Sequence, residues 1–105
     1  MSDDSQLVIP ASFIALYVPA GRVKPTLGHA QLLERYEYCE DLATALTDTA
    51  AARRADLHVT ENDVLERIAR GLAAADAGLS ADEAGWVLRR LAELLGWPPL
   101  RDDAM

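Results

Sequence analysis

The chain has 105 residues, 50% of them apolar and 26% charged, a balance typical of one globular domain and not of a disordered or membrane-spanning protein. Seventeen acidic against ten basic residues give a formal charge of −7, which disfavours nucleic acid and anionic lipid surfaces as partners. The single cysteine excludes an internal disulfide, and the acidic N-terminus lacks the basic start of a secretory signal, so we expect a cytoplasmic protein without a membrane span.

The N-terminal region is apolar and rich in prolines. We expect residues 1–9 to be flexible and residues 10–28 to form an apolar arm followed by a linker. Residues 13–18 fit a short helix, because Pro10 suits a first helical turn, and fit a short strand equally well, because isoleucine, tyrosine and valine favour strands. Pro19, Gly21 and Pro25 then predict an extended or turning linker.

Three stretches of helical periodicity follow, over residues 29–55, 61–77 and 81–95. In the first, apolar residues recur at alternating steps of four and three and share one helix face; they are Leu32, Tyr36, Cys39, Ala43, Leu46 and Ala50.

The ends of the second and third helices carry local signals. Thr60 predicts the N-cap of the second helix, and Gly78 predicts its end in a left-handed conformation. Ser80 and Glu83 have the spacing of a capping box at the start of the third helix. Gly96, followed by two prolines, ends that helix, and residues 100–105 are expected to be a flexible tail. The predicted fold is one all-α domain over residues 1–105, a small three-helix bundle with an apolar N-terminal arm.

Trp86 does not fit this bundle, because it lies away from the apolar stripe of the third helix and a three-helix core alone leaves it exposed. Either the arm folds back over Trp86 or another bundle surface, or both belong to an exposed patch that binds a partner protein. An uncovered arm would also favour a homodimer. The candidate partner-binding residues are Phe13, Tyr17, Arg22, Lys24, Trp86 and Arg90.

Residues that could carry chemistry do not form a known motif. The segment 21–25 lacks the glycines and the Lys-Ser or Lys-Thr pair of a phosphate-binding loop. His29, His58 and Cys39 are not spaced as zinc ligands, so we predict two surface histidines near helix ends and a cysteine packed in the core. The carboxylates of the first helix, Glu34, Glu37, Glu40 and Asp41, are interpreted as a solvated face. We therefore predict no catalytic residue, cofactor or metal, and a protein that is not an enzyme.

The second and third helices, joined across residues 77–80, are similar in length and glycine content to a helix-turn-helix. Asp82 and Glu83 would stand at the start of the recognition helix, where basic or amide side chains normally read the groove. DNA binding is therefore an alternative and not the main prediction.

Residues 10–22 (PASFIALYVPAGR) and 35–43 (RYEYCEDLA) resemble a group of short bacterial proteins, some of which carry the label "ATPase with chaperone activity". The missing phosphate-binding loop disagrees with the ATPase part of that label. The resemblance implies an association with chaperone or protein-handling machinery. We therefore predict a non-catalytic protein-interaction or regulatory module, with a helix-turn-helix DNA-binding regulator and a chaperone-associated nucleotide-binding protein as alternatives.

Overall fold

The computed structural model describes residues 8–75 and 77–101, and within those residues it contains helices and no strand. The fold class is therefore all-α, as predicted. A short helix α1 is followed by a 3-10 turn at Ala15–Tyr17 and by three longer helices; they are α1 (Ala11–Ile14), α2 (His29–Leu57), α3 (Glu61–Ala74) and α4 (Ala81–Leu95). In the described part of the chain every helix is too short or too polar to span a bilayer. The chain divides into two compact units, Met1–Tyr38 and Cys39–Met105.

The arm in the first unit is helical, which decides between the two predicted forms. Pro10 precedes α1, and its carbonyl oxygen accepts hydrogen bonds from the N–H groups of Phe13 (3.0 Å) and Ile14 (3.1 Å). Phe13 is fully buried, and its ring centroid lies 5.7 Å from those of Tyr17 and Tyr36. Such tilted and edge-on contacts are favourable for aromatic rings. The first unit is thus organised around Phe13.

The second unit has an apolar core to which three helices contribute. Its buried members are Ala50 of α2, Val64, Leu65 and Ile68 of α3, and Leu88, Leu91 and Ala92 of α4. Cys39 is also fully buried, which confirms that it packs inside the protein.

The starts of α3 and α4 confirm the predicted caps. Thr60 accepts a hydrogen bond from the Asp63 N–H at 3.1 Å. Ser80 Oγ accepts the Glu83 N–H at 3.0 Å, and the Glu83 carboxylate accepts the Ser80 N–H at the same distance, which completes the capping box. At the other end of α4, Gly96 adopts φ 73° and satisfies the last carbonyls.

The predicted end of the second helix was wrong. α3 ends at Ala74, three residues before position 77, and Ala75 is extended with ψ 152°. Gly78 has the predicted positive φ of 73°, but it lies in the loop to α4 and does not cap α3. The run of alanines there favours a continued helix, so the return of the chain toward α4 overrides local propensity. α2, predicted to end at 55, continues to Leu57.

Parts of the predicted flexible ends are ordered. Ile9, in the segment predicted to be flexible, is buried. Leu100 packs against the core of the second unit, and the Arg101 N–H donates to Asn62 Oδ1 at 2.9 Å. The remainder of the predicted flexible ends, residues 1–7 and 102–105, lies outside the described residues.

Candidate interaction site

The linker between the 3-10 turn and α2 has a defined conformation. The Arg22 N–H donates to the Pro19 carbonyl oxygen at 3.0 Å, and Gly21 adopts φ 79°. This is the pattern of a type II turn, whose third residue needs a positive φ and therefore favours glycine. A second hydrogen bond, from the Thr26 N–H to the Tyr17 carbonyl oxygen at 2.8 Å, closes the base of the loop. The loop is thus fixed at its start and at its base.

Three consecutive exposed residues, Arg22, Val23 and Lys24, form the end of this loop, and we call them the basic tip. Val23 is 90% exposed, the highest value among the exposed large apolar side chains described. The Arg22 and Lys24 side chains make no ion pair with any residue that the structure describes. The tip therefore offers one apolar and two cationic side chains to solvent on a loop of fixed shape.

Two of the six predicted partner-binding residues are buried, so the prediction of an exposed patch was wrong for them. Phe13 is fully buried, and Trp86 is only 4% exposed. The buried residues of α4 run from Trp86 round to Ala92 and cover roughly two-thirds of its circumference at 100° per residue. The apolar face predicted for the third helix was too narrow, because it left out Trp86, which is buried.

Tyr17, Arg90 and the two cations of the basic tip have different surroundings. Tyr17 is half-buried and packs on Phe13 in the first unit. Arg90, in the second unit, is committed to ion pairs with carboxylates. Of the six residues, only Arg22 and Lys24 are exposed and make no ion pair within the part of the chain that the structure describes.

Arg90 links α4 to α2 within the second unit. Its Nε lies 2.8 Å from Glu40 Oε1 and its Nη2 lies 3.0 Å from Glu40 Oε2, a two-bond geometry that carboxylate and guanidinium favour. Its Nη1 donates to Glu93 Oε1 at 3.0 Å. The hydrogen bonds with Glu40 and then Glu93 raise the pKa of Arg90 above its ordinary value. A guanidinium held in this way is a structural contact and is not available to a partner.

Chemistry-bearing side chains elsewhere are dispersed. Among the described residues, no three His, Cys, Asp or Glu side chains are grouped so as to hold a metal ion. His29 is the first residue of α2 and His58 follows its last, and both are exposed, which confirms their predicted positions.

Comparison of the chain with protein-family models, with curated proteins and with solved structures gives no match.

Val23 was missed by the sequence analysis, which named its two neighbours. The signal was present, because Val23 is an apolar residue between two cations in a segment otherwise made of turn formers. Its exposure could not be read from the pattern, since a valine in a linker is often drawn into the core.

Proposed function

We propose that the protein is a non-catalytic protein-interaction module of the cytoplasm, a three-helix bundle with an apolar N-terminal arm, that binds an acidic partner protein through the basic tip. The observation that carries this proposal is the fixed loop on which Val23 is 90% exposed between two free cations.

Three physical properties of the tip support a contact with protein. A loop whose shape is already set loses little conformational entropy on binding. Val23 supplies an apolar contact, which gains free energy when a partner removes it from water. Arg22 and Lys24 steer an acidic surface toward the tip and fix its orientation.

The resemblance of residues 10–22 to the chaperone-labelled bacterial proteins supports a partner in protein-handling machinery. That stretch contains the turn and ends at Arg22, so the resembling residues include part of the basic tip.

Cross-linking from Lys24 tests the proposal, because Lys24 is the only lysine in the chain. A water-soluble carbodiimide, which joins an amine directly to a carboxylate, should couple Lys24 to an acidic residue of the bound partner and give one discrete adduct in an extract of the source cells, identified by mass spectrometry. Lys24→Arg keeps the charge and removes the reactive amine, so it should remove this adduct and leave any product from the N-terminal amine.

Two variants then test whether the tip itself is recognised. Arg22→Gln and Val23→Ser should each reduce the adduct by about tenfold, the loss typical of an important interface side chain, and added salt should reduce it further. An adduct of unchanged yield in both variants would contradict the proposal.

The two alternative functions have distinct signatures. A salt-dependent mobility shift with duplex DNA would favour a DNA-binding regulator, and thermal stabilisation by nucleotides would favour a nucleotide-binding protein. We expect neither. At the start of α4 the Glu83 carboxylate is already engaged in the capping box, and Asp82 beside it is exposed and would face phosphates with like charge.

A further inference from the structure

A groove between α2 and α3, within the second unit, has an apolar floor and two cationic side chains. Its volume is about 240 Å³. Leu46, Ile68 and Leu72 line it and also pack in the core, so they form its floor. Arg53 of α2 and Arg67 of α3 line the same groove and are exposed. Apolar and cationic groups are therefore presented together.

The two guanidinium groups of this groove are free. Within the described part of the chain, neither Arg53 nor Arg67 makes a hydrogen bond or an ion pair with another side chain. Arg90, by contrast, is held by two carboxylates. Guanidinium groups bind carboxylates through paired hydrogen bonds, so two free ones at one groove favour an acidic ligand.

Gly71 keeps the groove open on the α3 side. It lies inside α3, where glycine weakens a helix, and it is exposed. A Cβ atom added there would meet no atom within 4 Å. Helix packing therefore does not require a glycine at this position, and a side chain there would occupy the groove that Gly71 lines.

The size and shape of the groove favour a protein segment over a small molecule. At about 240 Å³ it is smaller than the pockets that enclose drug-sized ligands. It adjoins a depression of about 370 Å³ that shares Thr49 and Arg53, so the recess continues along α2. One apolar side chain fits such a recess while the rest of a bound segment lies along the helix.

From these observations we infer that the α2–α3 groove binds an acidic amphipathic segment of a partner protein. An apolar side chain of that segment packs on Leu46, Ile68 and Leu72, and its carboxylates bind Arg53 and Arg67. The residues that line this groove include none of the basic tip, so the inference rests on different observations from the proposed function.

The wider depression between α3 and α4 does not select an occupant in this way. Its volume is about 590 Å³, and the described residues that line it are alanines, glycines, leucines and Ser80. None of these described lining residues carries a charge that would complement a particular ligand.

The test uses the full chain and three fluorescent peptides of about twelve residues on one helical scaffold. The first has a central leucine flanked by glutamates, the second replaces the glutamates by glutamines, and the third replaces the leucine by alanine. Fluorescence anisotropy should show saturable binding of the first peptide, with the second and third each weaker by about tenfold or more. Equal binding of the first two, or no binding of the first, would overturn the inference.

Matched variants locate the binding. Arg53→Gln with Arg67→Gln should weaken the first peptide by about tenfold or more, whereas Arg54→Gln with Arg70→Gln, exposed neighbours outside the groove, should change it by less than about twofold. Gly71→Leu should remove binding while circular dichroism shows an intact helical fold. An equal effect of the two arginine pairs would show general charge attraction and overturn the inference, as would full binding by Gly71→Leu.

Two further readouts separate this inference from its alternatives. Arg22→Gln with Lys24→Gln should leave peptide binding unchanged, and the groove variants should leave cross-linking from Lys24 unchanged. The two experiments can therefore contradict the groove inference and the proposed function independently. If sedimentation shows a dimer that Gly71→Leu dissociates, the occupant is a second copy of the chain and the inference is overturned.

Discussion

His58 is the only non-glycine residue with a positive φ in the described part of the chain. His58 directly follows α2 and has φ 53°, the left-handed conformation in which helices commonly end. Glycine adopts this conformation without steric cost, whereas a residue with a Cβ atom loses about 1 kcal/mol. His58, whose side chain is exposed, therefore occupies a position where the backbone conformation favours glycine.

We expect His58→Gly to raise the free energy of unfolding by about 1 kcal/mol, because it removes the left-handed strain. Urea denaturation followed by circular dichroism measures the change. His58→Ala keeps the Cβ atom and is the matched control, which should show no gain. A glycine variant no more stable than the alanine variant would contradict this view of the α2 end.

The Arg90 pairs form the other residue-scale feature. Glu40 makes two hydrogen bonds with Arg90, and its side chain is 24% exposed, whereas Glu93 makes one and is 67% exposed. Solvent screens the second pair more strongly than the first. Because the pKa of Arg90 is raised in the folded protein, its contribution is complete below the ordinary arginine pKa and is lost only as pH rises through the folded value.

Glu40→Gln should lower the free energy of unfolding by about 1 kcal/mol, since it removes a two-bond charge pair between α2 and α4. Glu93→Gln should lower it by no more than a few tenths of a kcal/mol. Chemical denaturation of both variants in parallel gives the comparison. Equal losses would show that the second hydrogen bond of Glu40 adds nothing to the free energy of unfolding. Titration of Arg90 should add no pH dependence to that free energy near neutrality.

At the scale of the element, the starts of α2, α3 and α4 were predicted correctly, whereas the ends of α2 and α3 were not. Thr60 and Ser80 were identified from the sequence because capping depends on side chains within three residues. The end of α3 at Ala74 was missed, because the alanines around it favour a continued helix. The secondary structure of the arm could not be predicted, because a segment of six residues fits the periodicity of a helix and that of a strand equally well.

The capping box of α4 provides the element-scale prediction. Ser80→Ala should lower the free energy of unfolding by about 1 kcal/mol, because the Glu83 N–H loses its acceptor. Ser80→Thr keeps a hydroxyl at the same position and is the matched control, which should lose much less. Thermal or chemical unfolding checks the difference, and an alanine variant as stable as the unchanged protein would contradict a stabilising cap at the start of α4.

At the scale of the whole molecule, composition and periodicity predicted an all-α protein but not which side chains would remain exposed. Trp86 looked exposed because one helix was considered at a time, while α4 is buried on a much wider face. Of the six candidate site residues, Arg22 and Lys24 are exposed and make no ion pair within the described part of the chain. Their presentation to a partner depends on a loop closed by backbone hydrogen bonds. Such bonds leave almost no pattern in side-chain identity, except at Gly21.

The burial of Trp86 has a direct spectroscopic consequence. In a Trp97→Phe variant, Trp86 is the only indole, and at 4% exposure it should emit at short wavelength and be quenched weakly by iodide and acrylamide. Unfolding in urea should shift the emission to long wavelength and restore strong quenching. Strong quenching of the folded variant would mean that Trp86 is open to solvent and that its face of α4 must be reconsidered as a binding surface.

Protection of Lys24 by the cross-linked partner is the most direct test of the interaction proposal. The rate of Lys24 acetylation would be measured by mass spectrometry, for the protein alone and for its reconstituted complex with the protein identified from the cross-link. Binding through the basic tip predicts that acetylation of Lys24 slows by about tenfold or more in the complex, with the Val23→Ser variant protected far less. An acetylation rate that the partner leaves unchanged would contradict the proposal, because the amine would then lie outside the interface.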